Sequence, residues 1–274
     1  MKRKYMIIVL MAGALELTGC SQGTSNSAKN GTTGSENTII SESDIAILDT
    51  EDMFTERDRD TEYDESECTA ISLSDEETKC DSDGVKMDGQ TVTITEGGTY
   101  LLTGSLSNGS VVIDTDKTEK VQLILENVSI INEEGAGICV EQADKVFITL
   151  ADGSTNKIVS NSFTGNEDTN IDGAIFSRED LTLNGSGTLK ITSAAHGIVS
   201  KDDLVLTGGV YQIQSEKQGL SGKESVRIAD GTFTITSGTD AIHSEDTDED
   251  TKGFVYITGG VLTLAAGGEG ISSS

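Results

Sequence analysis

The sequence predicts an all-β protein, a right-handed parallel β-helix (solenoid) of about 22 residues per coil. Three observations carry this. First, residues 172–274 repeat: a glycine or alanine followed by an apolar residue recurs at Ile175, Ile198, Leu220, Ile242 and Ile271, with steps of 23, 22, 22 and 29 residues. A period of this size is the mark of a repeat architecture. Second, each unit holds three short apolar stretches, for example Ile198, then Leu204 to Leu206, then Val210 to Ile213. Alternation with period two and β-branched residues denotes strand rather than helix. Third, glycine-rich corners such as Asn184-Gly185-Ser186-Gly187, Gly208-Gly209 and Gly259-Gly260 separate the strands, where glycine permits tight turns.

Three strands and three corners make one coil, and coils stack at ~4.8 Å, the spacing of neighbouring strands. A single coil cannot bury its inward side chains, so the stack supplies the core. The competing architecture is an antiparallel sandwich or meander. Against it, the repeats agree in register by residue type, and no Asn-Gly or Asp-Gly hairpin is expected between long equal strands.

In chain order, Met1-Lys2-Arg3-Lys4 precedes an apolar run over 5–15 and then Leu17-Thr18-Gly19-Cys20. A basic start, a short apolar core and small residues before a cysteine read as a secretory leader, and the run is too short to span a bilayer. The Leu-Thr-Gly-Cys sequence resembles a bacterial lipobox, which makes Cys20 the expected lipidation site and residues 1–20 the signal peptide. Residues 21–65 read as a flexible polar tether passing into an acidic lead-in, expected to cap the open end of the solenoid. Residues 66–274 read as one continuous domain. It runs through Ala70 to Leu73, Val85 to Met87, Thr91 to Thr95, Tyr100 to Leu102, Val111 to Ile113, Val121 to Leu125, Val128 to Ile130, Gly137 to Val140 and Lys145 to Leu150 before the regular repeats begin. Residues 162–171 form a polar loop bulging from a coil. The last residues, from Gly270, open a further coil, so the solenoid is expected to continue past residue 274.

Composition narrows function. The formal net charge is −28, which opposes nucleic acid as a partner. The same self-repulsion would be relieved by a divalent cation. Proline and tryptophan are absent and glycine numbers 31 of 274, as a chain of many corners requires. With Cys20 lipidated, Cys68, Cys80 and Cys139 remain. Cys68 and Cys80 could pair outside the cell, or all three could serve as small apolar core residues.

Several segments together resemble one family. They are Phe54-Thr55-Glu56-Arg57-Asp58, Gly97-Gly98-Thr99-Tyr100-Leu101-Leu102, Ala143-Asp144-Lys145-Val146-Phe147-Ile148, His196-Gly197-Ile198-Val199-Ser200-Lys201-Asp202-Asp203 and Lys252-Gly253-Phe254-Val255-Tyr256-Ile257. The family is the carbohydrate-binding-domain-containing lipoproteins of clostridia and related bacteria, and the resemblance covers about residues 50–274. It implies a calcium-binding, pectate-lyase-like parallel β-helix that binds cellulose-like or pectin-like polysaccharide.

Function must come from side chains on the outside of the coils, which stacking places in columns. One column holds Arg178, Lys201, Lys223 and Glu245, and its neighbour holds Glu179, Asp202, Glu224 and Asp246. A column before the repeat glycine or alanine holds Asp172, His196, Gln218, Asp240 and Glu269. Arg178, Lys201, Lys223, Asp202 and His196 are the candidate ligand-binding residues, the cations among them suited to the carboxylates of a uronate polymer. The bland alternative is a set of solvated corners whose charges pair across coils, worth little each. The seven-residue insertion behind the last step is acidic. With Asp240 it makes Glu245, Asp246, Asp248 and Asp250 candidate calcium ligands, since calcium takes six to eight oxygens. The loop is not an EF-hand. Gln218 and His196 break any uniform acidic column, so a continuous calcium ladder is not expected.

Binding is preferred to catalysis, and no catalytic residue is assigned. A calcium-dependent lyase needs a basic residue to take a proton, but no carboxylate cluster stands plainly one coil from Arg178, Lys201 or Lys223. A third possibility is a ligand-free spacer or adhesin. Few aromatic side chains are available for stacking on sugar rings, which favours charged glycans over crystalline cellulose. The expected molecule is a monomer held on the outer side of a cell membrane.

Overall fold

The computed structural model describes residues 7–9, 50–163, 170–249 and 251–274. Cys20, Asp250, most of the tether and the centre of the 162–171 loop lie outside the described residues.

The chain winds into a right-handed parallel β-helix of about seven turns, with three parallel sheets as its faces. We call the faces A, B and C. The fourth coil shows the pattern: Asp180–Gly185 on face A, Thr188–Ser193 on face B and His196–Ser200 on face C. The second coil begins at Lys120–Leu125 and the third at Lys145–Leu150. The fifth, sixth and seventh begin at Asp203–Leu206, Ser225–Ile228 and Phe254–Ile257. The first is a single bent strand, Gly98–Leu106, that serves two faces before Ser110–Asp114 completes the turn on face C.

Register is strict. Ile175, Ile198, Leu220, Ile242 and Ile271 stack in one line, as the repeat spacing requires. Inward positions are aliphatic and nearly all buried, and they form one continuous core from Ile71 to Leu264. Tyr211 and Phe233 stack in adjacent coils with centroids 4.8 Å apart and planes 5° from parallel. Ser193, Ser215 and Ser237 form a buried ladder at the corner between faces B and C. In two of these the hydroxyl donates to a carbonyl two residues on within its own coil, Ser215 to Lys217 and Ser237 to Thr239. Gly185 turns the A–B corner with φ +95°, where an added Cβ would lie 2.2 Å from the Leu150 carbonyl oxygen.

Two findings depart from expectation at the N-terminal end. Val85–Asp88 and Thr91–Ile94 form an antiparallel hairpin. Its turn is Asp88-Gly89-Gln90, with Gly89 at φ +60°, so one Asp-Gly hairpin does occur. It closes the exposed edge of face C, while Thr69–Leu73 pairs with the first coil on face A.

The lead-in does not cap that end. Residues 53–60 lie as a strap across the outer surface of face A. Thr55 caps a four-residue helix, Glu56–Arg59, through a reciprocal bond with Asp58. Asp58 is buried and lies 2.9 Å from Lys145 Nζ, and it accepts from Thr182 at 2.7 Å. The Arg57 guanidinium sits 4.4 Å from the Phe147 ring centre and donates to Gln122. Thr207 and Asn184 donate to strap carbonyls. At the far end Arg227 donates to the Met53 carbonyl, and Phe54 packs on Tyr256. The reason is local: outward positions on face A carry Gln122, Phe147, Thr182, Val205, Arg227 and Tyr256, and most of these are buried. A covering segment is needed to satisfy them. Ile7–Val9 adds one further parallel strand beside Phe254–Ile257.

Cys68, Cys80 and Cys139 are all free thiols. Cys139 is buried with Phe176 and Val199 in a small apolar cluster on the outside of face C, and burial pushes its thiol well up.

Candidate functional site

The outer surface of face C carries a groove of about 310 Å³ across the third to sixth coils. Its walls include Asp172, His196, Lys201, Lys223, His243 and Glu245. The coil register produces it: Gly173 aligns with His196, and Ser177, Ser200, Gly222 and Ser244 share one line. Outward residues beside these positions therefore recur at one height per coil.

Asp172 is the hub of the lower part. Its carboxylate lies 3.4 Å from His196 Nε2, 3.6 Å from Lys201 Nζ and 4.0 Å from Lys217 Nζ. Burial pushes the Asp172 carboxyl up, but the His196 bond and charge and the two ammonium groups more than offset this and hold it below the usual aspartate range. Asp172 Oδ1 and His196 Nδ1 are buried with no hydrogen-bond partner. A buried polar atom without a hydrogen bond costs free energy, and at Asp172 Oδ1 the Lys201 ammonium 3.6 Å away offsets part of it.

The upper part is organised by Asp240. It accepts from Ser272 Oγ at 2.7 Å and from the Glu269 amide at 2.8 Å. His243 Nδ1 lies 2.8 Å from Ser272 Oγ, and Nε2 lies 3.6 Å from Glu245.

The groove thus brings together His196, Lys201 and Lys223 of the candidate ligand-binding residues. Arg178 stands one coil below Lys201, bonded to Glu141 at 2.7 Å and 5.5 Å from the Phe176 ring centre. Lys201 lies 5.3 Å from the same ring centre. Asp202 turns away toward the corner with face A, among Asp180, Asp203 and Glu224. Burial first, then the charges of Asp180 and Glu224, push its carboxyl up to about 7. Asp172, Gln218 and His243 are groove residues that column reasoning left without a role, and Lys217, beside the groove, was not singled out. Sequence spacing set Asp172 in the same column as His196, but in the structure Gly173 is the residue that aligns with His196, and Asp172 reaches the His196 ring from one position earlier.

The candidate calcium ligands do not converge. Asp246 turns inward, accepts from the Asp248 and Glu249 amides and lies 3.7 Å from Lys223 Nζ. Those amide bonds first, and the nearby ammonium groups, hold its carboxyl below the usual range. Asp248 points to the same lysine from the exposed side, Asp240 is engaged by Ser272, and Lys252 bridges Glu224 and Glu249. Among the described residues no group of three or more His, Cys, Asp or Glu is placed to hold a metal ion. Asp240, Glu245, Asp246 and Asp248 therefore do not fit a single calcium ion, because cations and amides of the protein already occupy much of their acceptor capacity.

A solenoid face with a polar groove occurs in proteins of several activities, and comparison with known proteins decides the family. The sequence model for carbohydrate-binding domain-containing proteins matches residues 88–274. This chain belongs to that family. A carbohydrate-binding domain-containing protein of Acetivibrio thermocellus is 34% identical over 195 residues, covering 70% of this chain and 68% of that protein. A solved structure, a gadolinium derivative described as a polysaccharide lyase-like protein from C. thermocellum, superposes with a TM-score of 0.69 at 31% identity. It covers 74% of this chain and 93% of the other. In the carbohydrate-binding domain of this chain, the groove lies wholly within the matched residues.

Proposed function

We propose that the protein binds polysaccharide along face C, with acidic, pectin-like glycans preferred to neutral, cellulose-like ones. The observation that carries this is the groove itself. Lys201 and Lys223 line it on coils that repeat at ~4.8 Å, and Lys217 reaches Asp172 beside it. Lysines suit carboxylates at each step, and the exposed side chains of the groove walls suit glycan hydroxyls. Lys201→Ala and Lys223→Ala should each weaken binding to polygalacturonate about fivefold, on the order of 1 kcal/mol, with little change for cello-oligosaccharides. Calorimetric titration measures both. Equal losses on neutral and acidic glycans, or none, would count against the charge reading.

The proposal includes lipid attachment at Cys20 and a place outside the cell membrane, supported by the leader and the Leu-Thr-Gly-Cys sequence. Intact-mass measurement of membrane-extracted protein, with Cys20→Ala as control, tests it. It also includes calcium as a stabilising ion, supported by the net charge of −28, whose self-repulsion a divalent cation would relieve. Calcium should raise the melting temperature more than sodium chloride of equal ionic strength; equal effects would reduce its role to screening.

A second reading is lyase activity, favoured by the lyase-like description of the solved neighbour. Incubation with polygalacturonate, monitored for unsaturated products by ultraviolet absorbance, decides between cleavage and binding alone.

A further inference from the structure

The strap runs against the direction in which the coils are added. Met53 and Phe54 contact Arg227 of the sixth coil and Tyr256 of the seventh. A few residues on, Arg57 contacts Gln122 of the second coil and Phe147 of the third. Asp58 holds Lys145 and Thr182 of the third and fourth. The chain then descends to Thr69–Leu73, which pairs below the first coil. Thr50, just before the strap, therefore belongs to the seventh-coil end of the described stack, although the solenoid itself starts at the other.

We infer that the strap sets the polarity of the solenoid on its tether. The tether joins the strap at Thr50, at the seventh-coil end. With an acyl group on Cys20, an attachment this inference takes from the proposed function, the seventh coil faces the membrane and the hairpin Val85–Asp88/Thr91–Ile94 faces outward. Without the strap, the same tether would enter at Thr69 and the stack would stand the other way up. The strap occupies face A alone, so the groove on face C stays open along the side of the upright stack.

The arrangement has independent fastenings. A buried ion pair joins Asp58 to Lys145, and side chains of the third, fourth and fifth coils hold Asp58 and its carbonyl. A cation–π contact holds Arg57, and aromatic packing holds Phe54. Loss of one loosens the strap without removing the core, which lies on the other side of face A.

Pulsed electron spin resonance on the full chain tests the polarity. Spin labels at Thr50→Cys with Ser274→Cys, or at Thr50→Cys with Gly89→Cys, are placed in a Cys20→Ser, Cys68→Ser, Cys80→Ser, Cys139→Ser background checked for folding by circular dichroism. Ser274 and Gly89 both lie on the face C side, so height is the main difference between the pairs. The 50–274 distance should be the shorter, and the 50–89 pair should exceed it by roughly 20 Å, from about six coil spacings of ~4.8 Å. Adding Arg57→Ala should broaden both distributions. Thr50 closer to residue 89, or equidistant, would overturn the inference.

On vesicles bearing a headgroup quencher, lipidated protein labelled at residue 274 should be quenched more than protein labelled at residue 89. Parity or the reverse order would overturn the membrane half of the inference. Protein found unacylated at Cys20 would remove that half together with the anchoring it rests on, while the distance pair still decides where the tether leaves.

Discussion

Asp202 shows how a repeat imposes chemistry on a single residue. Stacking sets a carboxylate one coil below Glu224 and close to Asp180, and burial at the corner limits solvation. The result is a carboxyl pushed up to about 7. Its folded value lies above its unfolded value of 3.8, so the folded state binds the proton more tightly. The stabilising effect of that proton is full below the unfolded value and is lost as pH rises toward 7. Asp202→Asn should flatten the decline in melting temperature between pH 4 and 7, and should stabilise the protein above pH 7 by on the order of 1 kcal/mol after allowing for solvent screening. Thermal melts across that range check it; an unchanged slope would mean that the crowding relaxes in solution. Asp172 behaves oppositely. His196 and two lysines lower its carboxyl, so its contribution is present above the ordinary aspartate value and fades as acid protonates it.

Among the elements, the strap concentrates the most specific contacts. Asp58→Ala leaves Lys145 with a weakened partner set and Thr182 without its acceptor, and breaking a buried pair in this way costs about 3 kcal/mol. Denaturant unfolding measures the loss, and hydrogen exchange should show it localised to face A. Asp58 itself is raised by burial but lowered overall by Thr182, Lys145 and Thr55. Its stabilisation is therefore kept above the ordinary aspartate value and lost as pH falls through the lowered one. This element was poorly legible in the sequence. Met53 and Phe54 sit among acidic residues, which reads as a solvated segment. Their packing depends on outward side chains of face A, from Gln122 to Tyr256, that share no local pattern with them. The strands were legible for the opposite reason. Inward Leu204 and Leu206, or Val226 and Ile228, announce themselves by alternation alone, and the glycine or alanine before each repeated apolar residue marks the register.

For the whole molecule, the same division holds. Columns such as Arg178, Lys201 and Lys223 could be read from spacing, but which members share a groove could not. That depends on Lys223 turning to Asp246, on Asp202 turning to another corner, and on Asp172 receiving three partners from later in the chain. The insertion misled for a related reason: five carboxylates in sequence say nothing of the amides and ammonium groups that fold back onto Asp246. The serine ladder carries one more consequence. The Ser215 and Ser237 hydroxyls bond within their own turn, while the corner amides repeat one bond to the coil below, Glu216 to Ser193 and Gly238 to Ser215, so each turn of about 22 residues meets its neighbours in the same way and becomes an interchangeable part. Excision of residues 197–218 joins His196 to Gly219 and restores the sequence of corner and strand. The shortened chain should still melt cooperatively, with a groove about 4.8 Å shorter and reduced affinity for long glycans but little change for short ones. The number of turns would then act as a ruler, letting a lineage lengthen or trim its reach by copying or dropping one module without redesigning the rest.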